Sequence, residues 1–208
     1  MIQPKFIDDR IYYPVMEHFY TLQGEGRYAG HAAYFIRLSG CDVGCSWCDV
    51  KESWEVEEDQ YIEISELVDS VKKSGATILV ITGGEPAMYN LGPLTDSMEE
   101  IDVQINIETS GAYSLSGKLD WVCVSPKRFK FPLEESVKKA DELKMIVVNK
   151  HDLDWAIELG AKCKKGCVLL LQPEWSRAEK VNPLIIDFIK ANPKWKLSLQ
   201  VHKFLNIP

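Results

Sequence analysis

The chain has 208 residues, of which 24 are Lys or Arg and 31 are Asp or Glu, giving a net charge of −7. That length can bury a sizeable core without disulfides, and it reads as one domain spanning 1–208. An acidic balance with no basic cluster argues against a nucleic-acid or anionic-membrane partner, and no apolar run reaches the ~18 residues of a membrane span.

The opening stretch, MIQPKFIDDRIYYP, is charged early and lacks an apolar segment, so it does not read as a secretory signal. A cytoplasmic location is expected, with residues 1–18 as a short N-terminal extension. Residues 33–38 are predicted as a strand. Residues 64–74 are predicted as a helix, because Ile64, Leu67, Val68 and Val71 recur at helical spacing. Residues 76–82 read as a buried strand, and 103–108, 121–125, 144–148 and 168–172 continue the series. Helices are expected over 151–159 and 183–191, with Asn182 and Pro183 as cap and first turn. In the tail, residues 203–208 lack the charge and Gly/Ser content of a disordered end, and Phe204, Leu205 and Ile207 are expected to need burial.

Strands alternating with helices place the chain in the α/β class with a parallel sheet. About six parallel strands make an incomplete (β/α) barrel rather than a closed eight-fold one. Polar, Gly- and Pro-rich segments follow the strands: the cysteine loop after Leu38, Gly83-Gly84-Glu85-Pro86, Thr109-Ser110-Gly111, Pro126-Lys127 and Pro173-Glu174. They gather at the C-terminal rim, where barrel folds place ligands.

Three of the six cysteines, Cys41, Cys45 and Cys48, fall within eight residues at C-x3-C-x2-C spacing. A tight loop with Gly40 and Gly44 can wrap three thiolates around one face of a cubane, leaving one iron open to substrate or cofactor. The competing reading is zinc, which wants four closed ligands and would need Asp49 or a distant cysteine. Cys123 sits in an apolar strand as a small core residue. Cys163 and Cys167, in AKCKKGC, read as ordinary thiols.

The cysteine spacing together with Thr82-Gly83-Gly84-Glu85-Pro86 resembles the radical S-adenosylmethionine (SAM) superfamily. Within it, FYTLQGEG at 19–26, then Arg37, Cys48-Asp49 and the terminal QVHKFLNIP are similar to the 7-carboxy-7-deazaguanine synthase family, over nearly the whole chain. The resemblance implies a fold of the radical SAM type. It implies a [4Fe–4S] cluster on Cys41, Cys45 and Cys48, with SAM chelating the open iron. It also implies a carbon–nitrogen lyase reaction, from 6-carboxy-5,6,7,8-tetrahydropterin to 7-carboxy-7-deazaguanine with loss of ammonia, on the route to queuosine and modified tRNA. A 5′-deoxyadenosyl radical does the chemistry there and SAM is regenerated, so no protein acid or base is expected as a catalytic residue.

Carried over residue by residue, Trp47, Cys48, Asp49, Gly84, Ser125, Gln172, Pro173, Glu174 and Trp175 would hold SAM. Leu22, Gln23, Gly24, Arg37, Thr82 and the terminal carboxylate of Pro208 would hold the pterin, with residues 197–208 closing the pocket. A guanidinium at Arg37 can grip the pterin carboxylate bidentately; its other reading is an ion pair with Glu25 or another acid. Glu108 and His202 are left between structural and binding roles. An electron donor such as a flavodoxin or ferredoxin and a homodimeric state are implied too. One departure stands out. The family commonly has Ser or Thr two residues after the last cluster cysteine, as a magnesium ligand, and here the position is Val50. Magnesium demands oxygen donors, so its binding is expected to be weak or unusual. The rival functions are a glycyl-radical enzyme activase and a non-catalytic metal-binding module.

Overall fold

The computed structural model describes residues 1–208 throughout. In chain order the strands and helices are β1 (Lys5–Ile7), β2 (Arg10–Leu22), β3 (Ala32–Leu38), β4 (Tyr61–Glu63), α1 (Ile64–Ser74), β5 (Ile78–Gly83) and α2 (Gly92–Asp96). They continue as β6 (Gln104–Thr109), β7 (Trp121–Val124), α3 (Glu134–Lys139), β8 (Glu142–Val147), α4 (His151–Gly160), β9 (Val168–Pro173), α5 (Ala178–Ala191), β10 (Trp195–Leu197) and α6 (Val201–Leu205). The sheet order is β1-β2-β3-β5-β6-β7-β8-β9-β10, with β4 paired to β2 outside this path. From β3 to β10 every neighbouring pair is parallel, while β1, β2 and β4 pair antiparallel. The two ends of the path do not meet, so the barrel is incomplete, as expected.

Side chains on a strand alternate between faces, and here the alternation separates core from site. Ile36 and Leu38, Leu79 and Ile81, Ile105 and Ile107, Val122 and Val124, Leu143 and Met145, and Leu169 and Leu171 point to one face. They form one continuous core with Leu67 and Val71 of α1, Ala156 of α4 and Ile185 of α5. Each large aliphatic side chain fully buried in this way contributes about 1.5–3 kcal/mol. The opposite parity faces the barrel interior. Its lower part is the small cluster of Ala33, Phe35, Ile78 and Val80. Toward the strand ends the same parity presents Arg37, Thr82, Glu108, Ser125, Lys144 and Gln172 to the cavity.

Three expectations need correction. The extension at 1–18 is built into the sheet: β1 lies in it, and β2 runs from Arg10 to Leu22 against β3. The fifth helix begins at Ala178, so Asn182 and Pro183 lie inside it. Val181 and Ile185, one helical turn apart, are both buried and draw the preceding turn into the helix. In the tail, Phe204 and Leu205 are 68% and 53% exposed. A five-residue helix offers only one face to the body, and this one is held by polar contacts: Val201 N donates to Gly24 O at 2.8 Å and Lys203 Nζ to Asp49 Oδ2 at 2.7 Å. Phe204 makes an edge contact with Trp175, ring centres 5.3 Å apart.

Candidate active site

The cysteine loop follows β3 and is fixed by backbone bonds at its base. Gly40 N donates to Ser53 O at 2.7 Å and Cys41 N to Trp54 O at 3.1 Å. It also locks onto the turn after β5, since Gly84 N donates to Leu38 O at 2.8 Å and Glu85 N to Gly40 O at 2.9 Å. Gly83 is required there: its φ is +136°, and a Cβ would sit 2.0 Å from Leu38 O. The buried carboxylate of Glu85 ties this turn to the end of β6, accepting from Ala87 N, Ser110 N, Thr109 Oγ1 and Ser110 Oγ. Four donors satisfy a buried carboxylate, so Glu85 is structural glue for the site.

Cys41, Cys45 and Cys48 are free thiols on the wall of a cavity of about 540 Å³. Burial pushes the Cys45 thiol up to about 11, with the Lys127 ammonium opposing it. A cubane takes one thiolate at each of three separate irons, so three thiolates on one cavity wall fit a cluster with an open corner.

Every residue singled out for SAM or substrate lines this same cavity. Trp47, Asp49, Gly84, Ser125, Gln172, Pro173, Glu174 and Trp175 are on its wall, as are Leu22, Gln23, Gly24, Arg37, Thr82 and Pro208. The loop after β2 and the tail interlock: a Cβ on Gly24 would lie 2.2 Å from His202 Nδ1, so only glycine lets the tail close here. Burial pulls the His202 pKa down, which favours the neutral imidazole. Asp49, beside Cys48, accepts from Lys203 and joins the cysteine loop to the tail.

Arg37 is paired, but with Glu17 rather than Glu25: Nε donates to Glu17 Oε1 at 2.7 Å. That engages the inner nitrogen of the guanidinium and leaves its terminal amino groups for a ligand. Glu25 is instead held by Lys144, whose ammonium bonds Glu25 Oε2 at 2.5 Å and Glu108 Oε2 at 2.8 Å. Gln23 Nε2 donates to Glu108 Oε1 at 2.8 Å, Gln23 Oε1 accepts from Glu25 N at 3.0 Å, and Gln200 Nε2 donates to Glu25 Oε1 at 2.9 Å. The Lys144 ammonium holds the Glu25 carboxyl down at about 2 against burial, and the two carboxylates hold Lys144 well above the ordinary lysine range. Removing one partner from such a buried set costs about 3–5 kcal/mol, because the remaining charge is stranded.

Of two cavity lysines, Lys144 escaped sequence reasoning, and Lys127 was placed at the rim without a role. Lys144 lies within a run read as a buried strand, and a lysine there signals a paired buried charge. Lys127 donates to Ser125 O at 2.6 Å and Ser125 Oγ at 2.7 Å, and lies 5.5 Å from the centre of the Trp47 ring. It brings a cation to the cysteine end of the cavity.

Residues 35–166 match the model of the radical SAM superfamily. The 7-carboxy-7-deazaguanine synthase of Flavobacterium psychrophilum is 50% identical, covering 94% of this chain and 92% of its own. That of Synechocystis is 43% identical, covering 94% and 93%, and that of Escherichia coli is 37% identical, covering 94% and 99%. The crystal structure of QueE from Escherichia coli superposes with a TM-score of 0.82 at 37% identity, covering 92% of this chain and 95% of that one.

Proposed function

The chain belongs to the 7-carboxy-7-deazaguanine synthase family of radical SAM enzymes, and from that premise we propose that it converts 6-carboxy-5,6,7,8-tetrahydropterin to 7-carboxy-7-deazaguanine with loss of ammonia. It is a lyase of queuosine-precursor biosynthesis, and its cofactors are a [4Fe–4S] cluster and SAM. The observation that carries the reading is the convergence on one cavity of the three-cysteine loop, the Gly83-Gly84 turn, the Leu22–Gly24 loop, Arg37 and the chain terminus.

Together the cluster and SAM supply the one-electron chemistry that takes hydrogen from the substrate. This chain's residues bind and orient. Cys41, Cys45 and Cys48 hold the cluster. Trp47, Asp49, Gly84, Ser125 and the Gln172–Trp175 segment cradle SAM, and Lys127 balances negative charge beside Cys45. Arg37 grips the substrate carboxylate with the two amino groups that Glu17 leaves free. Leu22, Gln23, Gly24, Thr82 and the terminal carboxylate of Pro208 meet the pterin, while α6 covers the cavity and limits access of water. Magnesium, where it binds, relies on substrate and water, because Val50 on the cavity wall brings no oxygen donor.

A one-electron donor of the flavodoxin or ferredoxin class would serve the cluster, and the enzyme would work as a homodimer. No helix is long and apolar enough to cross a membrane. Six free cysteines and an oxygen-sensitive cluster accord with the reducing cytoplasm. The test is anaerobic reconstitution with iron, sulfide, SAM and a reductant, followed by mass spectrometry of the product formed from the carboxy-tetrahydropterin. 7-Carboxy-7-deazaguanine is expected; SAM cleavage that no added pterin stimulates or couples to product would refute the assignment.

A further inference from the structure

On the cavity wall one buried ammonium stands between two carboxylates, and it leads to a role for a residue outside the groups so far matched to ligands. Lys144 projects from β8 into the interior and its side chain is only 3% exposed. Glu25 comes from the loop after β2 and Glu108 from β6, so three separate elements meet at one nitrogen. Gln23, which lines the same wall, is positioned by both residues: its amide nitrogen donates to the Glu108 carboxylate and its amide oxygen accepts from the Glu25 backbone N–H. Two carboxylates against one ammonium leave a net negative charge facing the cavity. A pterin carries a ring edge of N–H donors, which carboxylate oxygens and an oriented amide recognise.

We propose that Lys144 is a positioning residue for substrate: its buried ammonium holds the Glu25 and Glu108 carboxylates in place and, through Glu108 and the Glu25 loop, aims Gln23 at the pterin. This rests on the reaction proposed above. Lys144 does not need to touch the substrate for this. Its charge holds Glu25 as a carboxylate, and its position sets the direction of both acids. The other titratable groups facing the trio are Glu142 of β8, Cys123 of β7, His202 and Lys203 of α6, Asp49 of the cluster loop and Lys127 beyond β7. Lys203 pairs with Asp49 and Lys127 donates to Ser125 O and Oγ, so neither cation replaces Lys144.

The test is the Michaelis constant for the carboxy-tetrahydropterin across the neutral pH range, on anaerobically reconstituted holoenzyme. Lys144→Met should raise it roughly tenfold or more. The constant should also become pH-dependent, falling as pH rises, because a buried carboxylate without its cation is protonated at higher pH than before. Lys144→Arg keeps the cation and should restore a nearly flat profile. Should Lys144→Met fail to load its cluster, Lys144→Met/Glu108→Gln decides, since it restores the wild-type net charge while Glu25 still lacks its cation. That double variant should load the cluster and again show a constant that falls with pH. A Michaelis constant that is unchanged, or raised but flat with pH alike in the Met and Arg variants, would overturn the inference and leave Lys144 as mere packing. A wild-type enzyme that makes no 7-carboxy-7-deazaguanine would overturn the reaction itself, and this inference with it.

Discussion

Arg37 gives its Nε to Glu17 and keeps two terminal amino groups for the cavity, so its value lies in a fork as well as a charge. Lysine in its place would retain the charge and lose the fork. Charged hydrogen bonds contribute about 1.5–3 kcal/mol, so Arg37→Lys should lower kcat/KM roughly 10- to 100-fold while SAM binding is preserved. Unchanged steady-state kinetics would make Arg37 a structural residue. Val50 sets a second expectation. A hydroxyl would fill one of about six positions around an octahedral magnesium, and water can take that place while the substrate carboxylate anchors the ion. After chelator treatment, a magnesium titration should show weak activation of the wild type and stronger, tighter activation of Val50→Thr. Strong activation of both alike would mean that other groups hold the metal. At this scale the sequence pointed to the cavity wall where a motif flags a residue, as with Cys41 or Gly84. It was less so where a long-range partner decides the role. Nothing near Arg37 in sequence announces Glu17, because their meeting depends on the register of β2 against β3.

β2 illustrates how an element escapes notice. Its thirteen residues include Pro14, and the register shifts between Val15 and Glu17, so apolar and polar positions do not alternate through its length. Tyr13, Pro14 and Val15 are buried in succession, which breaks the two-residue period. The parallel strands carried a clean signal by contrast, because each is a short apolar run flanked by turn residues. The tail was legible as an ordered segment but not for the reason that its apolar residues suggest. Its anchors are Val201 N on Gly24 O, Gln200 on Glu25 and Lys203 on Asp49, and its last residue reaches the cavity wall. Residues added beyond Pro208 would move the terminal carboxylate without touching the cysteine loop. A C-terminal extension should therefore impair turnover and leave the cluster's visible absorbance normal. Full activity of the extended protein would remove the tail from the site.

Across the whole molecule one rule joins fold to chemistry. The parity that buries Leu79, Ile107, Leu143 and Leu171 turns Thr82, Glu108, Lys144 and Gln172 inward, so a single alternating pattern builds both the core and the cavity. That much was within reach of the sequence. The charge balance of the interior was not, because Glu25, Glu108 and Lys144 come from three elements that meet only in the folded sheet. The central claim is that the three-cysteine loop alone holds the cluster that drives conversion of the pterin. Cys123 is buried, and Cys163 and Cys167 pack against the core beside Leu159 and Val168, away from the cavity. The most direct measurement is the mass-spectrometric yield of 7-carboxy-7-deazaguanine from the Cys123→Ala/Cys163→Ala/Cys167→Ala variant, reconstituted anaerobically with SAM and the carboxy-tetrahydropterin. The product should form at a rate close to that of the wild type. A folded triple variant that loses its cluster and makes no product, beside an active wild type, would contradict the three-ligand site.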